Sequence, residues 1–230
     1  MKIYDNICII EERIQRACQR AGRDRSEITL MGVTKFQPPQ SIEEAYKAGI
    51  RFFGESRVQE AIAKFGENRL NLKDIELHLI GSLQRNKAKT ALGLFDCIQS
   101  LDRESLITEL AKHAKELNEP FKVLLEYRTG EDSKSGFDSL DSLLKAADLA
   151  FTYPQLKICG FMTMAPYTAD EKTLRRAFKQ LVKVRDGYNR HFPDEKNCNI
   201  MSMGMSGDFE TAIEEGSTLL RIGGAIFGEG

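Results

Sequence analysis

The stretch ITLMGVTK, residues 28–35, is a near-continuous apolar run that ends on a lysine, and FQPP follows it directly. Such runs are typical of parallel strands that are buried on both faces. Seven more short apolar runs follow, at residues 51–56, 75–81, 97–101, 121–128, 157–164, 198–205 and 219–227. Amphipathic segments such as SIEEAYKAG and RESLITELAKHAKELN separate the runs, which indicates helices between the strands.

Eight strands that alternate with helices, in a chain of 230 residues, predict a (β/α)8 TIM barrel. The last run lies close to the C-terminus, where it can close the barrel on the first strand. A doubly wound open sheet is the alternative. Ile7, Ile10, Ile14 and Ala17 recur at helical spacing and predict an extra N-terminal helix. Because no Gly/Ser-rich linker interrupts the chain, we expect one domain over residues 1–230.

Charge and cysteine content argue against several classes of protein. The 33 basic and 34 acidic residues give a formal net charge of −1, so no basic field indicates nucleic-acid binding. No apolar run approaches the roughly 20 residues of a membrane span, and the N-terminus is too charged for a secretory signal. Five scattered cysteines without a C-x-x-C pair indicate reduced thiols in a cytoplasmic protein.

Lys35 ends the first predicted strand, at the barrel face where active sites lie. A partly desolvated barrel mouth would favour the neutral amine, which is a nucleophile able to form a Schiff base with an aldehyde. The alternative is an ordinary surface lysine at a strand end.

The segments after strands seven and eight predict a phosphate site. Ser206 and Gly207 lie where a helix would begin, so free N–H groups there can face an anion. Gly223 and Gly224 interrupt the last apolar run, where glycine often marks the close approach of another group. Asp208 as a helix cap and a kink at barrel closure are the alternative explanations.

Arg221 lies two residues before Gly223 and should point to the same face of the last strand. An inward arginine requires a partner. That partner is either an anion or ring nitrogen of a ligand, or a barrel acid such as Glu55.

The three histidines are too far apart in the sequence to suggest a metal site, and we expect none. His78 lies inside strand three, where a satisfied core histidine is the expected role.

Seven motifs resemble, in order, those of the pyridoxal phosphate homeostasis proteins, relatives of the alanine racemase barrel domain: GVTKFQP, FGESRVQEA, LHLIGSLQRNKAK, EDSKSGF, GFMTMAP, SMGMSGDFETAIEEGST and LRIGGAIFG. The resemblance runs from about residue 28 to the C-terminus. It implies a barrel that binds pyridoxal 5'-phosphate as a Schiff base on Lys35. It also implies a phosphate site at Ser206, Gly207, Gly223 and Gly224, and an arginine, Arg221, that faces the pyridine nitrogen. We add Ser56, after strand two, and Met205, at the end of strand seven, to the cofactor-binding residues.

Three positions depart from the family's pattern. Ser56 stands where asparagine is usual, Gly224 replaces a usual threonine or serine, and Arg128 stands where asparagine is common. The loss of the hydroxyl at residue 224 removes one phosphate contact, whereas the backbone N–H groups remain.

The resemblance implies a carrier or buffer in intracellular vitamin B6 homeostasis, with no catalytic residue, rather than an enzyme. We expect pyridoxal-phosphate-dependent apoenzymes as partners, no membrane or nucleic-acid partner, and a monomer, with a dimer as the alternative. An amino-acid racemase needs a second proton-transfer group, for which Tyr167, His78 and Cys198 are the candidates. A Schiff-base aldolase acting on a phosphosugar is the third hypothesis.

Overall fold

Eight parallel strands form a closed barrel in the order β1 to β8 in the computed structural model, which describes residues 2–66, 72–130, 135–195 and 198–228. The strands are β1 (Thr29–Val33), β2 (Phe52–Glu55), β3 (Glu76–Leu79), β4 (Cys97–Leu101), β5 (Phe121–Glu126), β6 (Leu156–Met162), β7 (Ile200–Ser202) and β8 (Leu219–Ile222). Met31 of β1 pairs with both Phe52 of β2 and Arg221 of β8, which closes the barrel. The predicted TIM barrel is confirmed, and the open-sheet alternative is wrong.

Helices surround the barrel and fill the connections between strands. They are α1 (Ile3–Ala21), α2 (Pro39–Lys47), α3 (Val58–Phe65), α4 (Ala88–Leu94), α5 (Glu104–Ala114), α6 (Leu140–Phe151), α7 (Glu171–His191), α8 (Phe209–Glu214) and α9 (Gly224–Phe227). Within the described residues, none of these helices is long and apolar enough to cross a membrane.

The extra helix α1 buries the apolar stripe that the sequence predicts, with Ile10 and Ile14 almost completely enclosed. It ends at Gly22, whose φ of 65° lies in the left-handed region that glycine favours. Beside this stripe, Asn6 Nδ2 donates a hydrogen bond to Ile226 O at 2.8 Å, and Arg13 Nε lies 2.7 Å from Glu210 Oε1. Helix α1 therefore braces α8 and α9 from outside the barrel.

The last strand is shorter than the sequence predicts. The run at 219–227 reads as one strand broken by two glycines, but β8 ends at Ile222. Gly223 precedes the short helix α9, which starts at Gly224. The two glycines therefore do not kink a strand at barrel closure; they form the turn that leads from β8 into α9.

Candidate functional site

A cavity of about 440 Å³ opens at the C-terminal ends of the strands. Its walls combine apolar side chains with hydroxyl, amide and charged groups, as in small-molecule sites. All eight residues that the sequence selects lie around it, and they come from four different strand ends: Lys35, Ser56, Met205, Ser206, Gly207, Arg221, Gly223 and Gly224. The topology thus brings together side chains that are nearly 190 residues apart in sequence.

Lys35 lies just beyond β1 and reaches the cavity with an exposed side chain. The expected partial desolvation of this lysine is therefore not what the structure has. Phe36 follows it with a φ of 63°, an uncommon conformation for a residue with a side chain, and is 71% exposed. Within the described part of the chain, no acidic side chain forms an ion pair with Lys35. The amine is available to a ligand.

The residue before Lys35 is tightly held. Thr34 is fully buried, and its Oγ1 donates to Glu55 Oε1 at 2.6 Å. Lys64 Nζ donates to Thr34 O at 2.7 Å and to Glu55 Oε1 at 3.0 Å. The Lys64–Glu55 ion pair thus fixes the backbone just before Lys35.

Arg221 does not pair with Glu55, so that explanation of the inward arginine is wrong. Arg221 is in register with Met31, which is in register with Phe52. Because side chains alternate along a strand, Glu55 faces away from the Phe52 side. It lies on the same side as Phe53, which packs on Phe65 of helix α3. Glu55 belongs to the layer between strand and helix, and Arg221 to the barrel interior.

Arg221 is 4% exposed and is held by interior oxygens. Its Nη1 donates to Ser202 Oγ at 2.6 Å and its Nη2 to Thr163 O at 2.8 Å. Burial lowers the pKa of the guanidinium to about 10, against the opposing effect of Asp208 and Glu126. At neutral pH Arg221 remains a cation at the floor of the cavity.

The two glycine-bearing segments form a cradle of free backbone donors. Among the described residues, the N–H groups of Ser206, Gly207, Gly223 and Gly224 have no hydrogen-bond acceptor. A hydrogen bond from Ala225 N to Ser206 Oγ at 3.3 Å ties the two segments together.

A Cβ atom at Gly207 or Gly224 would meet nothing within 4 Å, and neither residue has a positive φ. The fold therefore does not require glycine at either position; its effect is to leave the space in front of the donors open. Free N–H groups with open space before them fit a phosphate group.

Asp208 is not the helix cap of the alternative explanation. Its side chain makes no cap hydrogen bond to helix α8. Instead, Oδ1 accepts from Met205 N at 2.5 Å, which fixes the turn that carries Ser206 and Gly207. Burial raises the pKa of this carboxyl, while Arg221 opposes the shift.

Sequence reasoning missed Glu126, the last residue of β5. It is 2% exposed and lines the cavity, where Ser135 Oγ donates to its Oε1 at 2.8 Å. Burial raises the pKa of Glu126 to about 7, with a smaller contribution from Asp102. The signal was present in strand alternation, because Glu126 lies two residues beyond Leu124, which faces the barrel interior.

Of the three acid–base candidates, only Tyr167 lines the cavity, and it is fully exposed. Cys198 is buried, with its thiol directed at Ile158 O and Tyr188 Oη. His78 is buried below the cavity, where Gln99 Nε2 lies 2.8 Å from Nδ1 and Glu76 Oε2 lies 3.3 Å from Nε2. It is the satisfied core histidine that the sequence predicts.

Three further points concern the motif EDSKSGF, Arg128 and metal ligands. Residues 131–134 of the motif EDSKSGF lie outside the described residues. Arg128 does not line the cavity; its Nη2 lies 3.8 Å from Asp138 Oδ2. Over the described ranges, no cluster of three histidine, cysteine or acidic side chains could hold a metal ion.

The fold and the cavity define a TIM-barrel protein in which a lysine amine, a buried arginine and a cradle of N–H donors share one site. Residues 8–230 match the family described as alanine racemase, N-terminal domain. A pyridoxal phosphate homeostasis protein from Aquifex aeolicus is 38% identical over 231 residues, which cover 100% of this chain and 99% of that protein. The chain belongs to the pyridoxal phosphate homeostasis protein family.

Two solved structures are similar to this chain over nearly its whole length. PipY from Synechococcus elongatus, in a structure with pyridoxal phosphate bound, is 36% identical, with a TM-score of 0.82 over 95% of this chain and 100% of that one. A protein described as unknown from Bifidobacterium adolescentis is 35% identical, with a TM-score of 0.92 over 98% and 94% of the two chains.

Proposed function

We propose that this chain binds pyridoxal 5'-phosphate in the cavity, holds it on Lys35 as a Schiff base, and acts in the cytoplasm as a carrier or buffer of the cofactor. The observation that carries the proposal is that the cavity presents an amine together with four backbone N–H donors, none of which has an ionic or hydrogen-bond partner among the described residues. An aldehyde that also bears a phosphate matches both features at once.

Each part of the site has a separate task in this proposal. The N–H groups of the cradle bind the phosphate, and Ser206 Oγ holds the two halves of the cradle together. Arg221, a cation that lines the cavity, would disfavour protonation of a ring nitrogen placed beside it. When bound, the cofactor supplies an aldehyde that condenses with a primary amine, which Lys35 provides.

The relatives support the ligand. The Aquifex aeolicus relative is named for pyridoxal phosphate homeostasis, and the PipY structure contains pyridoxal phosphate. Both are similar to this chain over at least 95% of its length.

The surroundings of Lys35 favour storage of the cofactor over catalytic turnover of a substrate. Racemisation needs a proton-transfer group placed against the reacting carbon. His78 and Cys198 lie outside the cavity, and Tyr167 extends into solvent. Arg221 would also make the bound cofactor a weaker electron sink if it faces the ring nitrogen, as the family resemblance implies. We propose apoenzymes that depend on the cofactor as its recipients, and a monomer as the working form.

Borohydride trapping followed by peptide mass spectrometry tests the proposal. The wild-type chain should absorb in the visible range after incubation with pyridoxal 5'-phosphate, and reduction should fix the cofactor on Lys35. Lys35→Ala should lose the covalent label. Lys157→Ala is the matched control, since Lys157 is an exposed lysine at the opposite end of the barrel.

Two results would contradict the proposal. The first is a colourless wild-type chain that takes up no cofactor. The second is trapping of a sugar phosphate in place of the cofactor, which would indicate a Schiff-base aldolase. Turnover of L- or D-alanine well above the rate with free cofactor would favour the racemase alternative, with Tyr167 and Glu126, which both line the cavity, as the acid–base residues to substitute first.

A further inference from the structure

Glu126 is a buried carboxyl that has no part in the proposed binding of the cofactor. It ends β5, pairs in register with Met162 of β6, and is 2% exposed. Its Oε1 accepts from Ser135, whereas Oε2 has no hydrogen-bond partner among the described residues. Oε2 is not completely enclosed by protein, and Glu126 lines the cavity, so this oxygen is open to the cavity.

Nothing among the described residues neutralises this carboxyl by direct contact. Arg221, the cation that faces it from β8, directs both Nη atoms at Ser202 and Thr163. Asp102, beyond the end of β4, adds a like charge, although Arg103 pairs with it. Arg128, two residues along the chain, lies against Asp138 instead. Asp208, the remaining acid beside Arg221, faces the same arginine from the cradle.

A carboxyl in this position is stable in its neutral form, because burial without a counter-ion penalises the charge. Burial raises the pKa of Glu126 to about 7, so the group exchanges a proton in the neutral pH range. A neutral carboxylic acid donates a hydrogen bond, whereas the carboxylate only accepts. The same residue can therefore attract an acceptor atom or repel an anion.

We propose that Glu126 is a further ligand-binding residue of the cavity: in its neutral form it donates a hydrogen bond from Oε2 to an acceptor atom of the bound anionic ligand, and once ionised it weakens that binding. The inference rests on the proposed function, since it takes pyridoxal 5'-phosphate as the ligand. The affinity for the cofactor should therefore fall as Glu126 loses its proton.

The dissociation constant of the cofactor for the wild-type chain, divided by that for Glu126→Gln, isolates this effect. Other pH effects on the cofactor and on Lys35 act on both chains and cancel in the ratio. The ratio should be constant below about pH 6 and should rise by roughly tenfold by about pH 8.5, a typical size for coupling between two binding events. Ser135→Ala should move the rise to higher pH, because the Ser135 hydrogen bond lowers the pKa of Glu126. Glu104→Gln, at an exposed position on α5, is the control and should leave the pH dependence unchanged.

Carboxyl carbon NMR on the chain without cofactor provides a second measurement. A signal that is missing in Glu126→Gln should titrate near neutral pH and shift to higher pH when the cofactor is added, because the linkage is reciprocal. A flat ratio, or a Glu126 signal that titrates like an ordinary surface carboxyl, overturns the inference and leaves the proposed function intact. A wild-type chain that takes up no cofactor at any pH overturns both.

Discussion

Arg221 Nη1 donates a hydrogen bond to Ser202 Oγ at 2.6 Å, and this contact begins a polar chain that runs down the barrel interior. Ser202 Oγ lies 2.6 Å from Gln99 Oε1, and Gln99 Nε2 lies 2.8 Å from His78 Nδ1. His78 then reaches Glu76 at the lower end of the barrel. Arg221, which lines the cavity, is thus positioned by residues that do not line it.

Ser202→Ala should lower both stability and cofactor affinity. The substitution leaves Arg221 Nη1 and Gln99 Oε1 without their partner in a fully buried place, which costs about 2 kcal/mol of unfolding free energy. A loosened guanidinium should weaken cofactor binding by roughly threefold to tenfold. Urea unfolding and a visible titration measure the two effects. Ser26→Ala, at an exposed position, is the control. Unchanged cofactor affinity in Ser202→Ala would show that the polar chain below the cavity does not position Arg221.

Gly224→Ser should tighten cofactor binding. The site has space for the new side chain, since a Cβ at Gly224 meets nothing within 4 Å and the backbone has no positive φ. The added hydroxyl restores a donor beside the phosphate cradle, which is worth about 1 kcal/mol or roughly fivefold in affinity. Gly93→Ser on α4 is the matched control, because a Cβ there also meets nothing. Equal or weaker binding by Gly224→Ser in the visible titration would place the phosphate elsewhere.

The fold and the position of Lys35 follow from patterns that are local in sequence. An apolar run of five to eight residues predicts a buried strand, and Lys35 lies at a site face because every parallel strand ends there. The end of β8 at Ile222 could not be predicted from the sequence, because glycines in an apolar run are compatible with a bulged strand or with a turn. Only the packing of the next turn decides between them.

The properties of Glu126 and Glu55 could not be predicted from sequence for a different reason. Both are acids at strand ends, and one residue of register separates the barrel interior from the helix layer. The environment of each carboxyl then depends on partners such as Ser135 and Lys64, which lie nine residues further along the chain and meet the acids only in the folded protein. Burial and pairing are tertiary properties, so the sequence pattern leaves them open.

Glu126→Gln should change the pH dependence of stability. The folded-state pKa of Glu126 is raised from 4.5 to about 7, so the native state favours the protonated form. The stability contribution is therefore complete below the unfolded-state pKa and is lost as the pH rises through about 7. Glutamine cannot ionise and avoids this loss. The gain in unfolding free energy of the variant over the wild-type chain should be about 3 kcal/mol larger at pH 8 than at pH 4.5.

Urea unfolding of the chain without cofactor at the two pH values measures this difference. Glu104→Gln, at a surface position, should show no such dependence. A pH-independent difference between Glu126→Gln and the wild-type chain would mean that Glu126 titrates alike in the folded and unfolded states.

Lys64→Met should destabilise the protein and disturb Lys35. Lys64 Nζ lies 3.0 Å from Glu55 Oε1, and the Glu55 side chain is fully buried, so removal of the lysine leaves a buried carboxylate without its counter-ion. Breaking such a pair costs about 3 kcal/mol. The loss of the hydrogen bond from Lys64 to Thr34 O also frees the backbone beside Lys35, so borohydride trapping of the cofactor should slow. The double variant Lys64→Met with Glu55→Gln should regain most of the stability, because no buried charge remains. Equal unfolding free energies for Lys64→Met and the wild-type chain would show that water reaches Glu55, and the buried ion pair would then not be what holds the Lys35 strand end.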